Sequence, residues 1–171
     1  MRISEEDRGR VGLWAADCAE RVLPLFEAVA PADTRPREAV EGIRAWVCGE
    51  MRPVPLRTLA LAALAAAREV GDPAAAAAAR AAGSAATTAF MHAPETMGTE
   101  KHCLGAAIYA ARARELAAPD DPGAADAEIR RAVELAPAEV RRLVRGLPAL
   151  GPTRGRLDGI MQKLDEGLRA T

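Results

Sequence analysis

The sequence predicts an all-α protein, an antiparallel bundle of about seven to eight alanine-rich helices. Three observations support this. Alanine fills 41 of the 171 positions, and it is the strongest helix former. Aromatic residues make up only 3% of the chain, too few for a sandwich or barrel, whose strands draw on β-branched and aromatic side chains. Apolar residues recur at three- and four-residue steps between Pro, Gly and Asp-Pro breaks. The length suits one domain around one core, so residues 1–171 are expected to form a single helical domain.

The elements follow in order. Val11, Trp14, Cys18, Val22, Leu25 and Val29 make an apolar stripe on a first helix from about Glu5 to Val29. Pro24 lies inside it and predicts a kink or break, because proline removes a helix hydrogen bond at a cost of about 3 kcal/mol. Asp33-Thr34-Arg35-Pro36 starts a second helix carrying Ala39, Val40, Ile43, Trp46 and Val47, and Gly49 stops it. Pro53-Val54-Pro55 reads as a short stiff link before a third helix, Leu56 to Val70. Asp72-Pro73 combines a cap with a first-turn proline and opens a fourth helix through six consecutive alanines to about Met91. Gly83-Ser84 in its interior weakens it locally or admits a neighbour.

A loop from Ala93 to Gly98 precedes a fifth helix, capped by Thr99 and running to Ala117. Asp121-Pro122 repeats the earlier start signal for a sixth helix, to about Leu135. Pro137 opens a seventh that ends near Gly146. After a Pro/Gly link over Leu147 to Pro152, a last helix places Leu157, Ile160, Met161, Leu164 and Leu168 on one face. Alanine stripes let helices approach closely but bury little area each, so Trp14, Trp46, Leu25, Phe26 and Ile43 are the expected anchors of the core.

Charge is balanced, with 23 Lys+Arg against 24 Asp+Glu, and asks for no nucleic-acid partner. The basic residues Arg141, Arg142, Arg145, Arg154 and Arg156 are interspersed with Glu134, Glu139 and Asp158, as on a solvated face. The longest apolar run, Leu59 to Ala67, falls well short of the roughly 20 residues of a membrane span. Met1 to Arg10 carries acidic residues where an export signal has its apolar stretch. Three cysteines at irregular spacing, Cys18, Cys48 and Cys103, read as free thiols. A cytoplasmic protein that touches no membrane is therefore expected.

Few residues invite chemistry. Asp17 and Arg21 stand four apart, and Arg21 projects near Trp14 and Leu25, inside the apolar stripe. A charge there needs a partner, and Asp17 is the local one. The pair reads as a structural ion pair, or as an anion-recognising arginine oriented by Asp17. Cys18 reads as a small buried hydrophobe, its thiol disfavoured as a nucleophile by the adjacent carboxylate. His102 and Cys103 point about 100° apart on a helix and make poor joint metal ligands. His102, Gly105 and Tyr109 share one face, where the glycine leaves room for a small pocket or a close helix contact. His92 is expected to be exposed. CxxC, HExxH, GxSxG, Walker and GxGxxG patterns are absent, so no metal and no cofactor is expected.

The segment from Trp14-Ala15-Ala16-Asp17-Cys18-Ala19-Glu20-Arg21 through Val22-Leu23-Pro24-Leu25-Phe26-Glu27 resembles the opening of the Imm-5-like immunity proteins of bacterial polymorphic toxin systems. Asp33-Thr34-Arg35-Pro36-Arg37-Glu38-Ala39 with Arg44-Ala45-Trp46 resembles the second family block. Ala65 to Arg68, Ala79 to Gly83, and Leu104 to Ala107 with Tyr109-Ala110 resemble later ones. The similarity spans about Val11 to Ala117, leaving the helices over 122–170 as an addition. The resemblance implies an all-helical cytosolic protein that binds and neutralises a toxin made by its own cell. It also implies histidines in the third and fourth helices, around positions held here by Leu64, Ser84 and Phe90. Only His102 keeps its place, so a site formed there is more apolar in this chain.

Two functional expectations follow. The first is a partner-binding protein without catalysis whose partner is a cognate protein toxin. The second is a small-molecule pocket protein of specialised metabolism, a cofactor-free enzyme or a sequestration protein that accepts an apolar molecule. Its pocket would be lined by Asp17, Arg21, His102 and Tyr109, with Trp14, Trp46 and Phe90 as apolar wall. Asp17 and His102 would be the acid and base if a reaction occurs. The apolar stripe of the last helix packs on the bundle or forms a homodimer contact.

Overall fold

Helices account for all the regular structure among the described residues of the computed structural model, which are residues 3–91, 99–148, 150 and 154–170. They are α1 (Glu5–Glu20), α2 (Leu23–Val29), α3 (Arg35–Val47), α4 (Pro53–Glu69), α5 (Pro73–Thr87), α6 (Thr99–Ala117), α7 (Ala124–Glu134), α8 (Ala138–Gly146) and α9 (Arg156–Ala170), with a 3-10 turn at Thr88–Phe90. The all-α expectation holds, with more helices than the seven to eight expected because the first predicted helix is two. No helix among these residues is long and apolar enough to cross a membrane.

Local chemistry explains the boundaries. Ser4 caps α1, its hydroxyl accepting the Asp7 N–H at 3.0 Å. Pro24 breaks rather than kinks the first predicted helix. The chain turns at Arg21-Val22, and Pro24 falls in the first turn of α2, where a missing N–H costs nothing. The break also takes Val29 off the apolar stripe and leaves it 51% exposed. At the end of α3, Gly49 takes φ 78°. There the Glu50 N–H reaches the Ala45 carbonyl at 2.8 Å and the Gly49 N–H that of Trp46 at 3.0 Å, a Schellman closure that favours glycine.

Pro53-Val54-Pro55 is not a link. Both prolines sit in the first turn of α4, whose leading N–H groups need no intrahelical partner. Asp72 caps α5 as expected, accepting the Ala75 N–H at 2.7 Å. Asp121 instead caps a turn, accepting the Gly123 N–H at 2.8 Å, and α7 begins only at Ala124. His92 and the expected loop over 93–98 lie outside the described residues, as do residues 149, 151 and 152 of the link over 147–152.

The alanine helix α5 forms the centre. Ala74 to Ala79, Ala81, Ala82, Gly83, Ala85 and Ala86 are all buried, so this helix meets neighbours on nearly every side. It packs against α4 and α6 along its length, and α1, α2 and α3 close the remaining sides. A β-carbon added at Gly83 would stand 3.0 Å from Leu64 Cγ and 3.1 Å from the Ala60 carbonyl oxygen. The Gly83-Ser84 pair thus admits a neighbour, α4. Gly105 brings α6 equally close to Ser84, at 3.1 Å for the same added carbon. The glycine between His102 and Tyr109 therefore makes a helix contact rather than a pocket.

The large side chains stand on the surrounding helices. Phe26, Ile43, Leu56 and Leu104 are fully enclosed, and Trp14 and Trp46 nearly so, while Leu25 is only half-buried. The Trp14 indole N–H donates to the Ala132 carbonyl at 2.9 Å, tying α1 to α7. Outside this core, α7 rests on α6, and α9 lies across α6, α7 and α8. Ile160, Leu164 and Leu168 are buried there, so the last helix packs on the bundle, while Leu157 is 36% exposed.

Glycine substitutions check this packing by thermal or denaturant melts. Gly83→Val is expected to destabilise by about 1–3 kcal/mol, because the Ala60 carbonyl belongs to the α4 backbone and cannot retreat. Gly159→Ala, on α9 with open space around the added carbon, is expected to stabilise by about 0.5–1 kcal/mol through helix propensity. Equal effects at the two positions would contradict the close α4–α5 contact.

Candidate functional site

The residues singled out in the sequence do not gather in one place. Asp17 and Arg21 part company first. The Asp17 carboxylate accepts from Arg44 Nη2 of α3 at 2.8 Å and is 61% exposed. Glu20 takes the other guanidinium nitrogen at 2.5 Å. Burial works against the Arg44 charge, yet these two carboxylates hold its pKa above the ordinary arginine value. Glu20 and Glu27 also flank Arg37, so alternating charges sew α1 and α2 to α3.

Arg21 turns the other way. Its Nε donates to Glu128 Oε1 of α7 at 2.7 Å, and its Nη1 reaches only the backbone carbonyl of Asp17, at 3.2 Å. The expected Asp17–Arg21 ion pair is therefore replaced by Arg21–Glu128, with side chains 20% and 8% exposed. Arg114 of α6 completes the clamp. Its Nη2 donates to the Arg21 carbonyl at 2.7 Å, and its Nε lies 3.7 Å from Glu128 Oε2. Three helices meet on one buried carboxylate. Sequence reasoning missed Glu128, although it interrupts the stripe of Ala125, Ile129 and Ala132, where a carboxylate needs a cation. The hollow that Tyr109 lines includes neither Asp17 nor Arg21.

Cys18, beside this clamp, behaves as a buried hydrophobe. Burial pushes its thiol up to about 12, with Arg21 pulling the other way. Burial alone does the same to Cys103, while Cys48 is exposed. Among the described residues no group of three or more His, Cys, Asp or Glu is placed to hold a metal ion.

The remaining candidates fall into separate surroundings. Trp14 is in the core on its bond to Ala132. Trp46 backs a shallow hollow beside Glu6, Gly9 and Arg10 of α1. Tyr109 stands in another, between α5, α6 and the start of α9. Phe90 and His102 do come together. With Arg57, Leu61 and Leu64 of α4 and Thr87 of α5, they line a hollow of about 220 Å³. The Arg57 guanidinium lies 5.9 Å from the Phe90 ring centre, within cation–π range, and Leu61 is 60% exposed at the rim.

Leu64, Phe90 and His102 are three of the four positions where the family resemblance puts histidines. Residues far apart in the chain thus converge on one apolar concavity with an imidazole in its wall. Ser84 stands one helical turn from Thr87, which bonds its carbonyl at 2.8 Å. The arrangement can hold an apolar group against Leu61, Leu64 and Phe90 beside a cation and a polar ring.

A sequence model of the family described as Imm-5 like putative immunity protein matches residues 1–139, reaching past the segments over Val11 to Ala117 on which the resemblance rested. No curated protein and no solved structure matches the chain.

Stability and labelling measurements test these assignments. Glu128→Gln is expected to cost about 2–3 kcal/mol, somewhat less than a fully enclosed pair because Arg21 is partly exposed. Asp17→Asn is expected to cost less than about 1 kcal/mol; a loss as large as that of Glu128→Gln would contradict the exposed placement of Asp17. A thiol reagent near neutral pH should modify Cys48 quickly in the native protein, and Cys18 and Cys103 only on unfolding. In the unfolded chain both thiols lose their protons near the ordinary value of 9.0, before the folded ones at about 12. Each therefore contributes a loss of stability as pH rises above that lower value, and Cys103→Ala should flatten the alkaline limb of the stability curve.

Proposed function

Because the chain belongs to the Imm-5-like immunity protein family, we propose that it binds and neutralises a cognate protein toxin in the cytoplasm of the cell that makes it. Binding needs no bond-breaking chemistry, only a surface that covers or distorts the toxin. The observation that carries this reading is the hollow of Leu61, Leu64, Phe90 and His102. Its volume of about 220 Å³ lies below the roughly 300–1,000 Å³ typical of small-molecule sites. It suits a single large apolar side chain, the kind of anchor on which protein interfaces concentrate their energy. Leu61 at the rim and the Arg57–Phe90 stack supply the apolar and cationic surroundings such an anchor uses.

A second reading keeps the same hollow for a small apolar molecule, in a sequestering protein or cofactor-free enzyme of specialised metabolism. Its support is the replacement of the family's histidines by Leu64 and Phe90, which makes the walls greasier. Under that reading His102 is the acid or base at the site, while Asp17 and Arg21 stay with their structural partners.

Co-expression distinguishes the two. Toxin domains encoded beside this gene are produced with the wild-type chain and with Leu61→Asp. Restored growth and a purified complex with wild type, both lost with Leu61→Asp while its melting temperature holds, is the expected outcome. No rescue by wild type and no complex with any such domain would overturn the toxin-binding reading.

A further inference from the structure

The second hollow carries its own argument. It lies between α5, the C-terminal half of α6 and the first turn of α9, with a volume of about 490 Å³, within the small-molecule range. Four arginines line it, Arg80, Arg112, Arg154 and Arg156, in a chain whose net charge is only −1. Two carboxylates answer them. Glu115 binds Arg112 Nη1 and Arg156, the latter through Nε at 2.6 Å. Asp158 is engaged by the backbone N–H of Arg154 at 3.1 Å. Glu115 therefore fixes two guanidiniums while leaving each with N–H groups that no described residue accepts.

Arg80 is the sharper observation. It is the single charged residue of α5, set in the run of buried alanines, and it is itself half-buried. Its guanidinium makes no hydrogen bond or ion pair with any described residue, and neither does that of Arg154. Placing a half-buried cation on the central helix without a partner is costly, and this one faces a cavity already rich in positive charge. The chain's only tyrosine, Tyr109, stands in the same wall beside the apolar surfaces of Ala77, Leu116 and Leu157.

We propose that this hollow is a binding site for a small organic phosphate, whose oxygens are taken by Arg80 and Arg154 with Arg112 and Arg156 in support, and whose flat or apolar body rests on Tyr109. Guanidinium forks match phosphate oxygens in pairs, and a dianion with three terminal oxygens uses several of them where one carboxylate does not. The site is separate from the Phe90–His102 hollow, and its occupancy does not depend on toxin binding.

Calorimetric titration with phenyl phosphate, inorganic phosphate and a hexaglutamate peptide tests it. Phenyl phosphate is expected to bind more tightly than inorganic phosphate, with salt weakening both. Arg80→Ala should weaken phenyl phosphate binding by about tenfold or more without lowering the melting temperature, since no protein partner is lost. Tyr109→Leu should remove the advantage of phenyl phosphate over inorganic phosphate. Absence of phenyl phosphate binding up to about 10 mM, or unchanged binding in Arg80→Ala/Arg154→Ala, would overturn the proposal. Tighter binding of hexaglutamate than of phenyl phosphate would overturn it as well, assigning the arginines to an acidic protein segment.

Discussion

Burial of α5 on nearly all sides is the constraint from which the rest of the structure follows. A helix of alanines offers neighbours almost bare backbone, so α4 and α6 can lie close against it, and Gly83 and Gly105 mark where the approach is tightest. Each alanine removes little apolar surface from water. The enclosing helices supply what the centre lacks, through Phe26, Ile43, Leu56, Leu104 and the two tryptophans. Small residues inside face large ones around them, and at Gly83 and Gly105 the contact leaves no room for an extra methyl group without a neighbour giving way.

A core of this kind leaves orientation to the shell. Methyl contacts carry no direction of their own, and hydrogen bonds and ion pairs between the helices add it. Trp14 is hydrogen-bonded to α7, Glu128 gathers Arg21 and Arg114, and Arg44 joins Asp17 and Glu20. Charges that look available for chemistry in the sequence are occupied in this way. Asp17 and Arg21 are four residues apart at the end of α1, yet each serves a different interface: Asp17 pairs with Arg44 of α3 and Arg21 with Glu128 of α7.

Two of the concavities left by these contacts differ in character. The one bounded by Phe90 and His102 is small and apolar, with Arg57 stacked at its edge. The one beneath the start of α9 is larger and dominated by guanidinium groups. Family membership, resting on residues 1–139, covers the whole of the first and the α5–α6 part of the second. Arg154 and Arg156 lie beyond the family match, so the cationic hollow is completed by residues outside it.

Helices, breaks and their order were legible in the residues. Caps such as Asp72, first-turn prolines and the glycine stop at Gly49 act through atoms only a few residues away, which makes them readable in the chain. Where local signals erred, at Pro53-Val54-Pro55 and Asp121-Pro122, one motif is compatible with two local structures: a link or a first helical turn, a helix cap or a capped turn. The family blocks were legible too, as was the company of His102 and Phe90. Which charges pair was not. Arg21 could reach Asp17 by helical spacing alone, but Glu128, 107 residues away, takes it because the folded chain carries α7 past the end of α1. The place of Arg80 beside residues of α6 and α9 likewise follows only from the folded chain. The sequence alone determined the helices and their apolar faces, since those depend on neighbours along the chain. The tertiary structure alone decided the ion pairs and the two hollows, since these arise where distant segments meet.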